Sequence, residues 1–162
     1  MEEHLRQNLK QNVKKATYLV CVSDTDYSKI ALDFANKLAG RKNGKIIALH
    51  ITEPVNYQSF GAIANKMQEE QTKEAEKLLE ELTKEIDVEF ICMHKEGFIG
   101  EEIIKIVEEH HDIDMLILGS AAESSARSKT LQPIVAQLGV KIMVPVLIIP
   151  GNLTQQQMDL LA

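Results

Sequence analysis

The residues with the clearest potential for chemistry follow a short apolar run. Residues 114–119 read Asp-Met-Leu-Ile-Leu-Gly, and the segment 120–130 contains several hydroxyl side chains together with Arg127 and Lys129. An apolar strand that ends in glycine and opens into a loop before a helix is a common way to build an anion site in α/β proteins. The hydroxyls and the two cations could bind a phosphate through their side chains. The alternative interpretation is a polar surface loop that binds nothing.

A second polar cluster, Ser23-Asp24-Thr25-Asp26, follows the apolar run from Thr17 to Val22. Its residue types are those that cap the amino end of a helix. If both runs are neighbouring parallel strands, their carboxyl ends meet and a ligand would lie between the two loops. The candidate binding residues are Ser23, Asp24, Thr25, Ile51, Gly119, Ser120, Arg127, Lys129 and Thr130.

The elements that must position these residues alternate between strand and helix patterns. Five apolar runs rich in β-branched residues predict strands at residues 17–22, 45–51, 88–93, 115–118 and 145–150. Helical periodicity follows each of the first four: Ile30, Ala31, Phe34 and Leu38; Met67, Gln71, Ala75, Leu78, Leu82 and Ile86; Ile99, Ile103, Ile106, Val107 and His110; Leu131, Ile134, Val135 and Leu138. Residues 57–61 are predicted to form an irregular connection.

This alternation predicts an α/β fold with right-handed crossovers. We expect a five-stranded parallel sheet of order 3-2-1-4-5, covered by helices on both faces in a Rossmann-like arrangement. Residues 1–14 form an N-terminal extension, 15–150 the domain and 151–162 a C-terminal tail. The tail is predicted to form a short helix that Thr154 caps and that docks through Met158, Leu160 and Leu161 on its own subunit or on a partner. The alternative is a disordered tail.

The composition excludes several classes of protein. The chain of 162 residues has a formal net charge of −6, which disfavours binding to nucleic acid and to anionic membranes. It contains no apolar run of the length that a membrane span needs and no signal-peptide pattern, so we predict a cytoplasmic protein.

The sequence offers little for catalysis. Cys21 and Cys92 are predicted to be reduced core residues on strands separated by another strand. His50 and His94 lie near strand ends, where packing in the core or at the rim of the site is expected, and His110 and His111 near a helix end. The sequence has no nucleophile elbow, Walker loop or zinc-ligand spacing, so neither a catalytic residue nor a metal site is predicted.

Four segments in the right order resemble the universal stress protein family. They are the first strand with its acid and hydroxyl cluster, Leu49-His-Ile-Thr-Glu-Pro54, Asp114-Met-Leu-Ile-Leu-Gly-Ser120 and Pro145-Val-Leu-Ile-Ile-Pro150. The resemblance covers residues 15–150 and implies an adenine-nucleotide-hydrolase-like sheet. It also implies a homodimer in which the last strand, Val146, Leu147, Ile148 and Ile149, pairs with its copy.

The nucleotide-binding branch of that family carries the motif Gly-x2-Gly-x9-Gly-Ser/Thr. In this chain the four positions are Gly119, Ala122, Gln132 and Pro133, so only the first is kept. A Cβ at 122, a long side chain at 132 and the missing amide at 133 would all hinder phosphate binding by the backbone. The family's acid at the end of the first strand falls on Ser23, although Asp24 follows it directly.

These departures leave three functions open. The preferred one is a non-catalytic stress-response or regulatory homodimer with a degenerate nucleotide site that does not bind ATP tightly. The first alternative is a sensor that binds AMP, ATP or another phosphorylated metabolite through the serine-rich loop. The second is a weak nucleotide hydrolase, for which Asp24, Asp26 and Glu123 are the only candidate bases.

Overall fold

The computed structural model describes residues 14–54, 61–121 and 131–162 of the chain. Within these ranges the elements, in chain order, are β1 Thr17–Cys21, α1 Asp26–Lys42, β2 Lys45–Thr52, a 3-10 turn Gly61–Ile63, α2 Ala64–Thr83, β3 Glu89–Glu96, α3 Ile99–Glu109, β4 Met115–Ser120, α4 Leu131–Lys141, β5 Val146–Pro150 and α5 Gln155–Leu161. The predicted alternation of strands and helices is confirmed, with element ends shifted by a few residues.

All five strands are parallel and lie in the order β3-β2-β1-β4-β5, as the sequence predicted. Because β1 is central and β4 lies beside it, the chain reverses its direction of winding between these two strands. The carboxyl ends of β1 and β4 therefore border a crevice.

Two apolar layers hold the helices on opposite faces of the sheet. Successive residues of a strand point to opposite faces, so Tyr18 and Val20 pack with α1, α2 and α5, whereas Leu19 packs with α3 and α4. Every one of these β1 side chains is buried. The double burial explains why β1 is an uninterrupted apolar run rather than an alternating one.

Asp114 joins β1 and β4 by hydrogen bonds at the amino end of the sheet. Its carboxylate accepts the Thr17 N–H at 2.9 Å, and its own N–H donates to the Thr17 carbonyl at 2.9 Å. Lys14 pairs with the other carboxylate oxygen at 3.2 Å. Asp114 is the first residue of the segment 114–119, in which the sequence pattern indicated a possible anion site. It lies at the amino end of β4, opposite to Gly119, and its bonds stabilise the sheet.

Two sequence predictions about burial need correction. The predicted stripe of α2 packs on the core through Ala75, Leu82 and Ile86, but it omitted Leu79 and Thr83, which are buried. The Thr83 hydroxyl donates to the Leu79 carbonyl at 2.6 Å, so this polar side chain can be buried. Cys92 is exposed, because β3 is an edge strand.

Some predictions fall outside the described residues: most of the N-terminal extension, the connection 57–61 apart from Gly61, and the serine-rich loop from residue 122 onward. Among the helices that the structure describes, none is both long and apolar enough to cross a bilayer.

Candidate functional site

A cavity of about 350 Å³ opens between the carboxyl ends of β1 and β4. Its volume lies within the range of small-molecule sites. Its described lining is Cys21, Val22, Ser23, Thr25, Tyr27, Ser28, Leu49, Ile51, Ile99, Leu118, Gly119, Ala121 and Ile134. This lining contains apolar side chains, hydroxyls and backbone but no charged side chain.

The polar wall of the cavity is the loop between β1 and α1. The Ser23 N–H donates to the Ser28 hydroxyl at 2.7 Å, and the hydroxyls of Ser23 and Thr25 lie 2.9 Å apart. Thr25 caps α1 by accepting the Ser28 N–H at 3.3 Å. These local bonds place three hydroxyls on the cavity rim, where they could bind the hydroxyls or ring nitrogens of a ligand.

Gly119 allows β4 to approach the first turn of α1. A Cβ at this position would clash with the carbonyl oxygen of Tyr27, and would lie 2.9 Å from its carbonyl carbon and 3.2 Å from its ring. Glycine is therefore required here by a close backbone contact rather than by an unusual φ angle. The contact also holds Tyr27 against the cavity.

The structure brings only part of the predicted site together. Ser23, Thr25, Ile51 and Gly119 line the cavity, while the Ser120 hydroxyl points to the Ile149 carbonyl at 3.5 Å. The remaining predicted residues, Arg127, Lys129 and Thr130, lie outside the described part of the chain.

Asp24 does not line this cavity. Its side chain is 82% exposed, pairs with Lys29 at 3.5 Å and borders a groove along α2 instead. The reason is local, since Thr25 must point inward to cap α1 and the preceding side chain then points outward.

Sequence reasoning missed several lining residues, among them Tyr27, Ser28, Leu49, Ile99 and Ile134. The topology alone offered a signal for two of them. Ile99 begins the helix that follows the carboxyl end of β3, and Ser28 lies in the first turn after β1, so both lie at the edge of the sheet where ligands bind.

The one thiol in the described lining is unreactive. Burial raises the pKa of Cys21 to about 12, so it is protonated at neutral pH. Among the described residues, no group of three or more His, Cys, Asp or Glu side chains could hold a metal ion. The described lining presents hydroxyl groups and apolar surface, and it contains no carboxylate or imidazole.

Comparison with known proteins agrees with this fold. A sequence model described as the universal stress protein family matches residues 17–150. No curated protein shows a significant match to the sequence.

Solved structures share the fold. The universal stress protein UspA from Lactobacillus plantarum is 15% identical, with a TM-score of 0.68 over 85% of this chain and 99% of its own. A family member from Arabidopsis thaliana with AMP bound is 20% identical, with a TM-score of 0.60 over 84% of this chain and 92% of its own. A universal stress protein in complex with cAMP is also 20% identical, with a TM-score of 0.61 over 85% of this chain and 98% of its own. The family model spans most of the chain, and the sheet has the strand order expected for that family. This protein therefore belongs to the universal stress protein family.

Proposed function

We propose that this protein is a non-catalytic, regulatory homodimer of the stress response whose nucleotide site does not bind ATP tightly. The observation that carries this proposal is the absence of any charged side chain from the described lining of the cavity. A triphosphate is strongly anionic and needs cations or convergent amides to replace its water. Only Gly119 is kept from the glycine motif that supplies such amides in the family's nucleotide binders.

The absence of catalysis is supported by the positions of the candidate bases. Asp24 borders another groove, and Asp26 is exposed in the first turn of α1. Glu123 lies outside the described residues. A base must come within hydrogen-bond reach of the proton that it removes, and neither described carboxylate lines the cavity. A hydrolase would show Mg²⁺-dependent phosphate release that Asp24→Ala abolishes; we expect no such release.

A second candidate function is the sensing of a smaller adenine nucleotide. The Arabidopsis thaliana relative has AMP bound, and another solved relative is a complex with cAMP. Here the apolar side chains of Leu49, Ile51 and Ile99 would surround a planar base, and the hydroxyls of Ser23 and Thr25 would meet a ribose. Such a ligand depends less on phosphate contacts than ATP does.

Calorimetric titration with ATP and with AMP tests the site. We expect ATP to bind more weakly than about 10 μM, which is about −7 kcal/mol, and AMP to bind at least as well as ATP. Ile51→Trp should abolish AMP binding because the indole would fill the cavity. The control is Ile91→Trp on the neighbouring edge strand, where the side chain is exposed and binding should not change. Tight ATP binding, or ATP carried through purification, would contradict the proposal.

The homodimer is proposed to form through β5. Each sheet edge is a row of unpaired backbone groups that must be protected in solution. The strand β3 at one edge carries Glu89, Lys95 and Glu96, all exposed, whereas β5 at the other edge has no charged residue. Val140 and Met143, which precede β5, are also largely exposed. The edge without charges is therefore the one suited to pairing with a second copy.

Ile148→Lys should convert the dimer to a monomer, because it places a charge in the middle of the proposed interface. Phe90→Lys is a matched control: Ile148 is 39% exposed on β5 and Phe90 is 37% exposed on β3. Sedimentation or light scattering at micromolar concentration measures the mass. A wild-type monomer, or dissociation by Phe90→Lys instead, would refute the role of β5.

A further inference from the structure

The C-terminal helix α5 lies outside the family domain and is nevertheless docked on it. The family model ends at residue 150, whereas α5 spans Gln155–Leu161. A capping box begins the helix: the Thr154 hydroxyl accepts the Gln157 N–H, and the Gln157 side chain accepts the Thr154 N–H. Met158 is buried in the same apolar layer as α1. The function proposed above uses no residue of this helix.

The position of α5 follows from the order of the helices on its face of the sheet. α2 contacts β2 and β3, and α1 contacts β4 and β5 as well as β1. The segment after α2 is joined to α1 where the Asp87 N–H donates to the Asn36 side chain at 3.0 Å, whereas Arg41 donates to the Asp159 carbonyl of α5. Asn36 and Arg41 lie about 140° apart around α1, so α2 and α5 flank it on opposite sides. Of the described helices on this face, α5 is therefore the outermost and lies at the β5 edge.

One side of α5 faces away from its own subunit. Asp159 faces α1, where its carboxylate pairs with Lys37 at 3.0 Å, and Met158 faces the core. Leu161 lies about 160° around the helix from Asp159 and about 60° from Met158, so it points away from α1 and past the edge of the sheet. Leu160 lies about 160° from Met158 and points away from the sheet. The two leucines are 66% and 78% exposed, respectively.

Exposed apolar side chains are concentrated near this edge. Among the described residues, nine large apolar side chains are exposed. Val140, Met143 and Ile148 belong to β5 or to the segment that leads into it, and Leu161 is the fourth. Contiguous exposed apolar surface on a protein marks a site of association. Leu161 therefore extends the apolar surface of the β5 edge onto the face that α5 covers.

A β5 strand pair by itself is smaller than a stable dimer interface. Such interfaces bury about 1,200–2,000 Å² in total and use about 20–30 residues a side, whereas β5 has 5 residues. Side chains that flank the strand must supply the remaining contact. α5 can do so without repulsion between two copies, because its one charged side chain, Asp159, is turned to Lys37 of its own subunit.

We propose that α5 is part of the dimer interface and that its Leu161 side chain packs against a second copy of this chain beside β5. This inference rests on the homodimer proposed above. In a two-fold symmetric dimer every such contact occurs twice, so each protomer contributes one α5 to the interface. The tail beyond the family domain then strengthens an association that the strand pair begins.

Sedimentation equilibrium of the full chain tests the energetic role of α5 through the dimer Kd. We expect Leu161→Ala to raise the Kd about tenfold or more, because an apolar side chain covered by the partner is truncated twice in each dimer. Leu160→Ala truncates the neighbouring leucine, which points to solvent, and should leave the Kd within about twofold.

The failure of this inference is distinguishable from the failure of the homodimer. If Leu161→Ala leaves the Kd unchanged while Ile148→Lys produces a monomer, the β5 dimer stands and α5 has no part in it. Equal effects of Leu161→Ala and Leu160→Ala would also overturn the role of Leu161. A wild-type protein that is monomeric at every accessible concentration would overturn both proposals.

Fluorescence measures the burial of Leu161 directly, because the chain contains no tryptophan. The single indole of Leu161→Trp should emit at shorter wavelength in the dimer and shift to longer wavelength on dilution below the Kd. The indole of Leu160→Trp should emit as an exposed one at every concentration. Adding Ile148→Lys to Leu161→Trp should give exposed emission throughout, which separates burial by the partner from burial within the subunit.

Two results of the fluorescence experiment decide the matter even if the larger side chain disturbs association. Loss of the dimer in Leu161→Trp but not in Leu160→Trp would support the contact, because only the first position is then in the interface. Emission from Leu161→Trp that stays constant while the dimer dissociates would overturn it.

Discussion

Replacing Gly119 by alanine is expected to destabilise the protein by about 1–3 kcal/mol and to abolish ligand binding in the cavity. The added Cβ would lie 2.9 Å from the Tyr27 carbonyl carbon and would clash with its oxygen. Both atoms belong to the backbone, so no side-chain rotation can relieve the clash. The first turn of α1 must move, and with it Thr25 and Ser28 on the cavity rim.

The matched control is Gly139→Ala in α4, where a Cβ would meet none of the described atoms within 4 Å. Alanine in a helix interior is favoured over glycine, so this variant should be more stable by about 0.5–1 kcal/mol. Urea unfolding at a fixed protein concentration measures both changes. When the m-value is unchanged, the shift of the midpoint gives the change in the free energy of unfolding. A Gly119→Ala protein with wild-type stability and AMP affinity would show that β4 and α1 are not in close contact.

Replacing Met158 by alanine is expected to cost about 2–4 kcal/mol of folding free energy. The side chain is 1% exposed and packs in the same apolar layer as α1, although it belongs to the C-terminal tail. Polar contacts hold the helix in place: Lys37 pairs with Asp159 at 3.0 Å, and Gln155 donates to Asp33 at 2.7 Å. The tail is therefore an integral part of this face of the core.

Leu160→Ala in the same helix is the control for this prediction. Leu160 is 78% exposed, so its truncation should change the unfolding free energy by less than about 0.5 kcal/mol. Helix propensity and chain length are nearly the same in the two variants, and the difference between them measures burial alone. Equal effects would mean that α5 does not dock on α1 in solution.

Much of the fold could be predicted because the apolar periodicity of this chain is strong. β1 is buried on both faces, which demands a continuous apolar run, and the helices need only one apolar stripe. The parallel direction of the strands follows from the helical crossover connections between them, which the alternation of strand and helix patterns indicates. The burial of Thr83 in α2 could not be predicted, since it depends on the hydrogen bond to the Leu79 carbonyl, and a threonine appears polar in sequence.

The candidate site was predicted less completely, because the direction of a side chain depends on the hydrogen bonds of its neighbours. Ser23, Thr25 and Gly119 follow strands, and their positions at the carboxyl edge of the sheet follow from strand order. Asp24 was placed in the site because its residue type suits the chemistry, whereas its direction depends on the cap that Thr25 makes. Similarly, Cys92 has an apolar sequence context but lies on an edge strand.

The sequence by itself determined the order of the elements and the family, because these depend on the residue types along the chain. The tertiary structure decided which side chains meet: Tyr27 with Gly119, His50 with Val22 and with His94, and Met158 with the core around α1. These contacts join residues far apart in the chain. They depend on how the strands align and on how closely the helices pack, which no local pattern specifies.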